Sequence, residues 1–311
     1  MADSWVVDTV EAGLRLDKFL AAPGRLASRG RATDALGRGK IFLNGAEAGP
    51  AEAARKLSVG DTVRVWMDRP GSSRRIAQRP PRPGELPIVY EDDAVVVVNK
   101  PAGLLTVPLA RREDAPSVED ALVDHLRSKG RRRPFVVHRI DRDTSGLVMF
   151  ATRPDAQMRL KDQFRRHEAQ RLYLAVVYGV PSPARGTWRD HLVWDSDALI
   201  QKETHARDPR ASSASCEYEV VEAFGDSSLI QVSLITGKRN QIRLQARLRG
   251  HTLIGEQRYV YGPESLRSIE FARQALHAWR LGVVHPMTGQ PLRLEAPVPD
   301  DMAGLIRQLR G

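Results

Sequence analysis

The residues best equipped for chemistry lie in His138-Arg139-Ile140-Asp141-Arg142-Asp143-Thr144-Ser145-Gly146, where an apolar run breaks abruptly into charge. Asp141 stands between Arg139 and Arg142. Nearby cations favour the ionised carboxylate, which suits a nucleophile better than a proton donor. The same residues would also make an ion pair that steadies a loop, so local sequence leaves both readings open. Other common engines are missing. There is no GxxxxGK[ST] phosphate loop, no HExxH, no CxxC and no GxSxG, and the eight histidines lack zinc-ligand spacing. A metalloenzyme, an ATPase and a serine hydrolase are all disfavoured.

The polar loop needs buried strands on both sides to hold it. Upstream, Ala94–Val98 with its four valines reads as a strand buried on both faces, and Leu147–Ala151 reads as another just after the loop. Ser117–Leu126 has helical spacing with Ser117 as cap and acids in its first turn. Pro154–His167 reads as a helix, and Arg171–Gly179 and Leu229–Leu234 as strands. Lys238–Leu248 is predicted as an amphipathic helix, apolar at Ile242, Ala246 and Leu248, with its basic face aimed at something anionic.

Composition sets the wider frame. The chain has 311 residues and 48 Lys+Arg against 38 Asp+Glu, a net charge of +10 carried mostly by arginine. Arginine grips phosphate bidentately, so a polyanionic partner is expected. One cysteine, Cys216, rules out intrachain disulfides and Cys-rich zinc frameworks. No apolar run approaches the roughly 18 residues of a membrane span. The opening residues, Met-Ala-Asp-Ser-Trp-Val-Val-Asp, carry an acid where a secretory n-region needs positive charge and no uninterrupted apolar run follows, so no secretory leader is expected. A soluble, cytoplasmic protein is the expectation.

The stretch 70–84 is rich in Pro, Gly and Arg and has no acid, the composition of a basic linker. It separates a small unit, 1–69, from a larger one, 85–311. In the small unit, Leu14, Leu16, Phe19 and Leu20 predict a first helical face, and Gly30–Leu36 a second helix. Lys40–Gly45 predicts a strand closed by an Asn-Gly turn, and Leu57–Val65 a second turn and strand.

RLDKFL, SRGRA, KIFLNG and LSVGDTVRV, in that order over residues 14–66, resemble the RNA-binding domain of the ribosomal S-four type. The resemblance implies that Arg15, Arg29, Arg31 and Lys40 face RNA. The match is thinner at Ala35-Leu36-Gly37-Arg38, where the family usually carries a branched apolar pair.

HRIDRDTSGL at 138–147 resembles the signature of the RluA-type pseudouridine synthases, with Ile140 replacing the usual leucine. YEDDAVVVVNKPAGLLTVP, RLYLAVVYG and ITGKRNQIRLQARLRGHTLIGEQRYVYG follow the same family's order, and coverage runs from about residue 86 to 298. The resemblance implies isomerisation of uridine in RNA, ribosomal RNA first and transfer RNA as the nearest alternative, without metal, nucleotide or redox cofactor. Within it Asp141 is the nucleophile, Tyr173 stacks on the flipped base and helps remove the proton from carbon five, and Arg243 pairs with the aspartate. Arg139 is the candidate wedge that fills the gap left by the flipped nucleotide. Attack on ribose, attack on base and proton abstraction would all use the same carboxylate.

Two positions depart from the family pattern: Asn240 stands where histidine is common and Glu256 where aspartate is. Lys100, in NKPAG, is expected to give structural support. The implied fold is mixed α+β: a central, largely antiparallel sheet flanked by helices, plus the small α+β RNA-binding domain. The partner is RNA, with no membrane and no nucleotide cofactor, and the chain is expected to be a monomer. The opposing class is a non-catalytic RNA-binding or ribosome-assembly protein built on a synthase scaffold.

Overall fold

The computed structural model describes residues 3–37, 39–66, 86–108, 115–127, 133–260 and 269–311. Contacts within the chain divide it into two compact units, Met1–Arg79 and Pro80–Gly311. The basic segment expected over 70–84 lies outside the described residues.

The first unit contains β1 (Asp3–Val6), α1 (Leu16–Leu20), α2 (Arg29–Gly37), β2 (Ile41–Leu43), β3 (Ala46–Ala48), a 3-10 turn (Pro50–Ala54) and β4 (Thr62–Val65). The strands form an antiparallel sheet in the order β1-β4-β2-β3. Leu16, Phe19 and Leu20 of α1 and Ala32, Ala35 and Leu36 of α2 pack onto Ile41, Leu43, Val63 and Val65. Asn44 and Gly45 both take positive φ, 52° and 80°, as a two-residue hairpin turn requires. Leu14 departs from expectation. It precedes the helix, is 40% exposed, and accepts the Leu57 N–H through its carbonyl instead of packing in the core. The mostly exposed edge strand β1 carries no apolar periodicity that sequence could register.

The second unit contains β5 (Ile88–Glu91), β6 (Val95–Lys100), α3 (Val118–Arg127), β7 (Phe135–Val136), β8 (Ser145–Ala151), α4 (Pro154–Arg165), β9 (Gln170–Tyr178), β10 (Arg185–Asp195), β11 (Ile200–Thr204), β12 (Ser212–Ala223), β13 (Ser227–Leu234), α5 (Gln241–Leu248), β14 (Leu276–Val284), β15 (Pro291–Glu295) and α6 (Asp300–Arg310). One sheet runs β11-β10-β12-β13-β9-β14-β8-β6-β5, with β15 on β14 and β7 on β8. Among its named pairs only β14–β8 is parallel, so the sheet is largely antiparallel, as expected.

Strand alternation explains how the helices cover it. Val96 and Val98 face one side with Val118 and Leu122 of α3 and Ile242 and Ala246 of α5. Val95 and Val97 face the other with Ala156 and Leu160 of α4. Val95–Val98 are fully buried, each stabilising the fold by about 1.5–3 kcal/mol relative to exposure. β9 splits in the same way: Tyr173, Ala175 and Val177 go to the α3/α5 side, and Leu174, Val176 and Tyr178 meet Met302, Leu305 and Ile306 of α6. Ser117 does cap α3, accepting the Asp120 N–H at 3.2 Å. Among the described residues no helix is long and apolar enough to cross a membrane.

Candidate active site

The loop 138–144 between β7 and β8 is fastened on both sides. Thr106 Oγ1 donates to the Ile140 carbonyl at 2.8 Å and accepts the Ile140 N–H at 3.2 Å. The fully buried Lys100 ammonium donates to the carbonyls of Pro101, Leu104 and Arg142 at 2.9, 2.8 and 2.7 Å. Burial pushes its pKa down to about 7, against the pull of Asp143 and Asp141. On the other side Arg273 donates to the Asp143 carbonyl at 3.2 Å while its fork grips Asp301 at 2.7 and 2.9 Å. Gly146 closes the loop with φ +114°, and a Cβ there would collide with the Ala278 backbone where β8 meets β14.

Asp141 emerges from this loop into a cavity of about 370 Å³, 28% exposed at its side chain. Its Oδ2 accepts a 3.0 Å bond from Arg243 Nη1. The other edge of the same guanidinium, Nε and Nη2, donates to both oxygens of Glu256 at 2.6 Å each. Arg243 is 9% exposed and the Glu256 side chain not at all. Burial works against the Arg243 charge, yet Glu256 and then Asp141 outweigh it and raise its pKa above the ordinary value. Burial likewise opposes the Glu256 carboxylate, and the Arg243 bonds more than reverse it, so its pKa falls below the usual range. One cation between two carboxylates leaves Asp141 oriented without cancelling the negative charge of the group.

This arrangement corrects the reading of α5. Gln241–Ala246 are all buried, Arg243 faces Asp141 and Glu256 inside the protein, and the helix's other cation, Arg247, is half-buried, so the helix presents no fully exposed basic face. The exposed cations Lys238 and Arg239 precede the helix, with the Arg239 guanidinium 4.0 Å from the centre of the Trp194 ring. Asn240 takes the left-handed φ of 53° at the start of α5.

Tyr173 lines the same cavity from β9, 7% exposed. Burial pushes its phenol up to about 12, with Asp141 adding to the rise and Arg171 opposing it, so the hydroxyl is neutral at ordinary pH. His138 stacks on Phe164 at 4.7 Å between ring centres, and its Nε2 accepts the Met149 N–H at 3.1 Å. Burial, then the Arg171 charge, brings His138 down to about 3, which leaves the ring neutral. Arg139 is exposed at the cavity wall, two residues from Asp141.

Asp141, Tyr173, Arg243 and Arg139 therefore share one cavity, whereas Arg15, Arg29, Arg31 and Lys40 belong to the first unit. There Arg15 reaches Asp17 with two bonds of 3.1 Å, and Arg29 reaches it at 2.6 Å. The Arg29 bond, then Arg15, holds the buried Asp17 carboxyl down to about 2. Part of the positive charge expected to face RNA is thus shared with an internal acid. Arg31 is exposed and Lys40 half-buried. Sequence reasoning missed two residues of the cavity region. Glu256 registered only as a departure, although it is the principal partner of Arg243. Arg171 went unremarked, although its place two residues before Tyr173 on a strand puts both on one face.

Comparison with known proteins shows the family. A family model described as RNA pseudouridylate synthase matches residues 94–248. The RNA pseudouridine synthase YlyB of Bacillus subtilis, described as uncharacterized, is 37% identical over 300 residues, covering 95% of this chain and 94% of that protein. Ribosomal large subunit pseudouridine synthase D of Zymomonas mobilis is 36% identical over 310 residues, covering 96% and 94%. The structure of human RNA pseudouridylate synthase domain containing 4 shares the fold, with a TM-score of 0.59 at 22% identity over 72% of this chain and 92% of that one. With near-full-length relatives at this identity, the chain belongs to the RNA pseudouridine synthase family, isomerases that act on uridine in RNA.

Proposed function

We propose that the protein isomerises specific uridines of ribosomal RNA to pseudouridine, with Asp141 as the nucleophilic carboxylate. The observation that carries this reading is the Asp141–Arg243–Glu256 chain inside a cavity walled by Tyr173. A flipped uracil needs an aromatic surface to stack on and an ionised carboxylate held beside its glycosidic bond. Tyr173 supplies the surface and, as a neutral phenol, a hydroxyl that guides the proton leaving carbon five. Arg243 bonds to the Asp141 carboxylate and fixes its direction. Arg139, exposed beside Asp141, braces the RNA where the nucleotide leaves the stack.

The choice of ribosomal RNA is supported by relatives named ribosomal large subunit pseudouridine synthase D, including those of Zymomonas mobilis at 36% and Nitrosomonas europaea at 33% identity. In this reading residues 1–69 form an S-four-type RNA-binding domain, 70–84 a basic linker and 85–311 the catalytic domain of a cytoplasmic monomer. Arg31 and Lys40, with the exposed parts of Arg15 and Arg29, contribute the contacts of the first domain to phosphates.

The test is pseudouridine mapping of total RNA from cells with and without the gene, complemented by the wild type or by Asp141→Asn. A ribosomal site lost on deletion and restored only by the wild type is the expected result. A lost site in transfer RNA would move the substrate, and no lost site would refute the enzymatic reading in favour of a binding role.

A further inference from the structure

Most cations around the cavity are either paired or exposed at its mouth. Arg243 is held by two carboxylates, and Arg139, Arg165 and Lys238 are exposed, where phosphates of an RNA strand can reach them. Arg171 is different. It lines the cavity at 9% exposure, and no carboxylate pairs with it among the described residues. Its Nη2 donates to the carbonyls of Leu234 and Ile235 at 3.4 and 3.0 Å, and its guanidinium lies 5.5 Å from the Phe164 ring centre. Its buried Nε has no hydrogen-bond partner.

A buried guanidinium without an acidic partner is costly unless something anionic meets it during function. Beside it, His138 is neutral and Tyr173 is an un-ionised phenol, and the Asp141 carboxylate of the same cavity is bonded to Arg243 instead. On β9 the side chains of Arg171 and Tyr173 leave the same face of the strand two residues apart, so a ring stacked on Tyr173 lies within reach of the guanidinium. Gly237 leaves room for it, since a Cβ at that position would run into Arg171 Nη1.

We infer that Arg171 is a further catalytic residue, one that stabilises the negative charge that develops on the uracil ring as its bond to ribose breaks. In that step the C1′–N1 bond cleaves and its electron pair passes to the ring, where it is shared among N1, O2 and O4. The sugar is either captured at C1′ by the Asp141 carboxylate or gives up a proton from C2′ to it, forming the C1′=C2′ double bond. The bound base is neutral before the step and anionic after it, so an unneutralised guanidinium in a desolvated pocket favours the transition state over the ground state. The inference rests on the family activity and on the proposed role of Asp141, and it holds for attack on ribose and for proton abstraction, the two routes in which the glycosidic bond breaks from a neutral base.

The experiment uses the full chain and RNA from the deletion strain, with binding and single-turnover pseudouridine formation measured separately. Arg171→Met is expected to lower the single-turnover rate about 100-fold or more, the usual loss when one oxyanion donor is removed, while the RNA Kd stays within about threefold, because phosphate contacts dominate affinity. Arg171→Ala should regain rate in added guanidinium chloride at concentrations well below the onset of its unfolding transition, a response that a purely structural role does not give. A weakened Kd at unchanged rate, or a loss of stability with normal turnover of the folded fraction, would overturn the inference. Asp141→Asn separates the two failures. If it is as active as the wild type, the reading of the whole site falls and this inference with it. If it is inactive while Arg171→Met turns over normally, only the role of Arg171 falls.

Discussion

Glu256→Gln is the substitution that most directly tests how the site is held. The change is nearly isosteric, but it removes a charge and turns one acceptor into an amide donor facing the Arg243 fork. Both bonds at risk are short, 2.6 Å, and both belong to a guanidinium that is almost fully buried. Breaking a buried ion pair at one partner costs about 3–5 kcal/mol. Here Asp141 still accepts from Nη1 at 3.0 Å, and the remaining amide oxygen can accept one bond. A loss of roughly 2–3 kcal/mol is therefore expected once those contacts are discounted. The consequence for rate is separate. Without its second carboxylate Arg243 can rotate, and a displacement of Asp141 on the order of 1 Å lowers the rate about 100-fold, some 2.7 kcal/mol in the barrier. Urea unfolding at neutral pH and single-turnover pseudouridine formation measure the two effects, and Glu256→Asp, which keeps the charge on a shorter arm, should fall between. A Glu256→Gln protein within about 0.5 kcal/mol of wild type and with wild-type turnover would refute the claim that Glu256 positions the nucleophile through Arg243.

Further outcomes follow from the same geometry. Asp141→Asn should abolish pseudouridine formation while leaving RNA affinity, read by filter binding, close to wild type. Because burial raises the Tyr173 phenol to about 12, the rate–pH profile should lack a limb from tyrosine ionisation below about pH 10, and Tyr173→Phe should change its height without changing its shape. Asp17 has its pKa lowered from 3.8 to about 2 by Arg29 and Arg15. Its contribution to the first unit is therefore complete above its unfolded pKa and is lost as pH falls through the folded value, a dependence that Asp17→Asn should remove in acid titrations followed by circular dichroism. RNA affinity should fall linearly in log–log plots against salt, with a slope that Arg31→Ala reduces by about one contact.

The elements legible in the chain were those whose signal is local. Four consecutive valines bounded by turns make a doubly buried strand wherever they fall, and Ser117 followed by acids and an amphipathic run caps a helix without outside help. The motif around Asp141 is equally local, and its resemblance to a family makes the reaction class readable from the sequence. Strands β10 and β12 were not legible, because one face of each is exposed and their few apolar anchors, Trp188, Leu192, Ala214, Cys216 and Tyr218, are spread thinly among polar residues.

The electrostatic state of the site could not be read in this way. Arg243 and Asp141 are separated by 102 positions and meet only because α5 packs against the α3 side of the sheet. The same packing turns a helix that looked basic and outward-facing into a buried support, and makes Glu256 a ligand of Arg243. Charge appears in a sequence as a residue type. Whether that charge is paired, neutralised or left bare, as at Arg171, depends on which distant groups folding brings within about 3 Å and how much water it removes, since Coulomb energy depends on separation and dielectric and not on order along the chain.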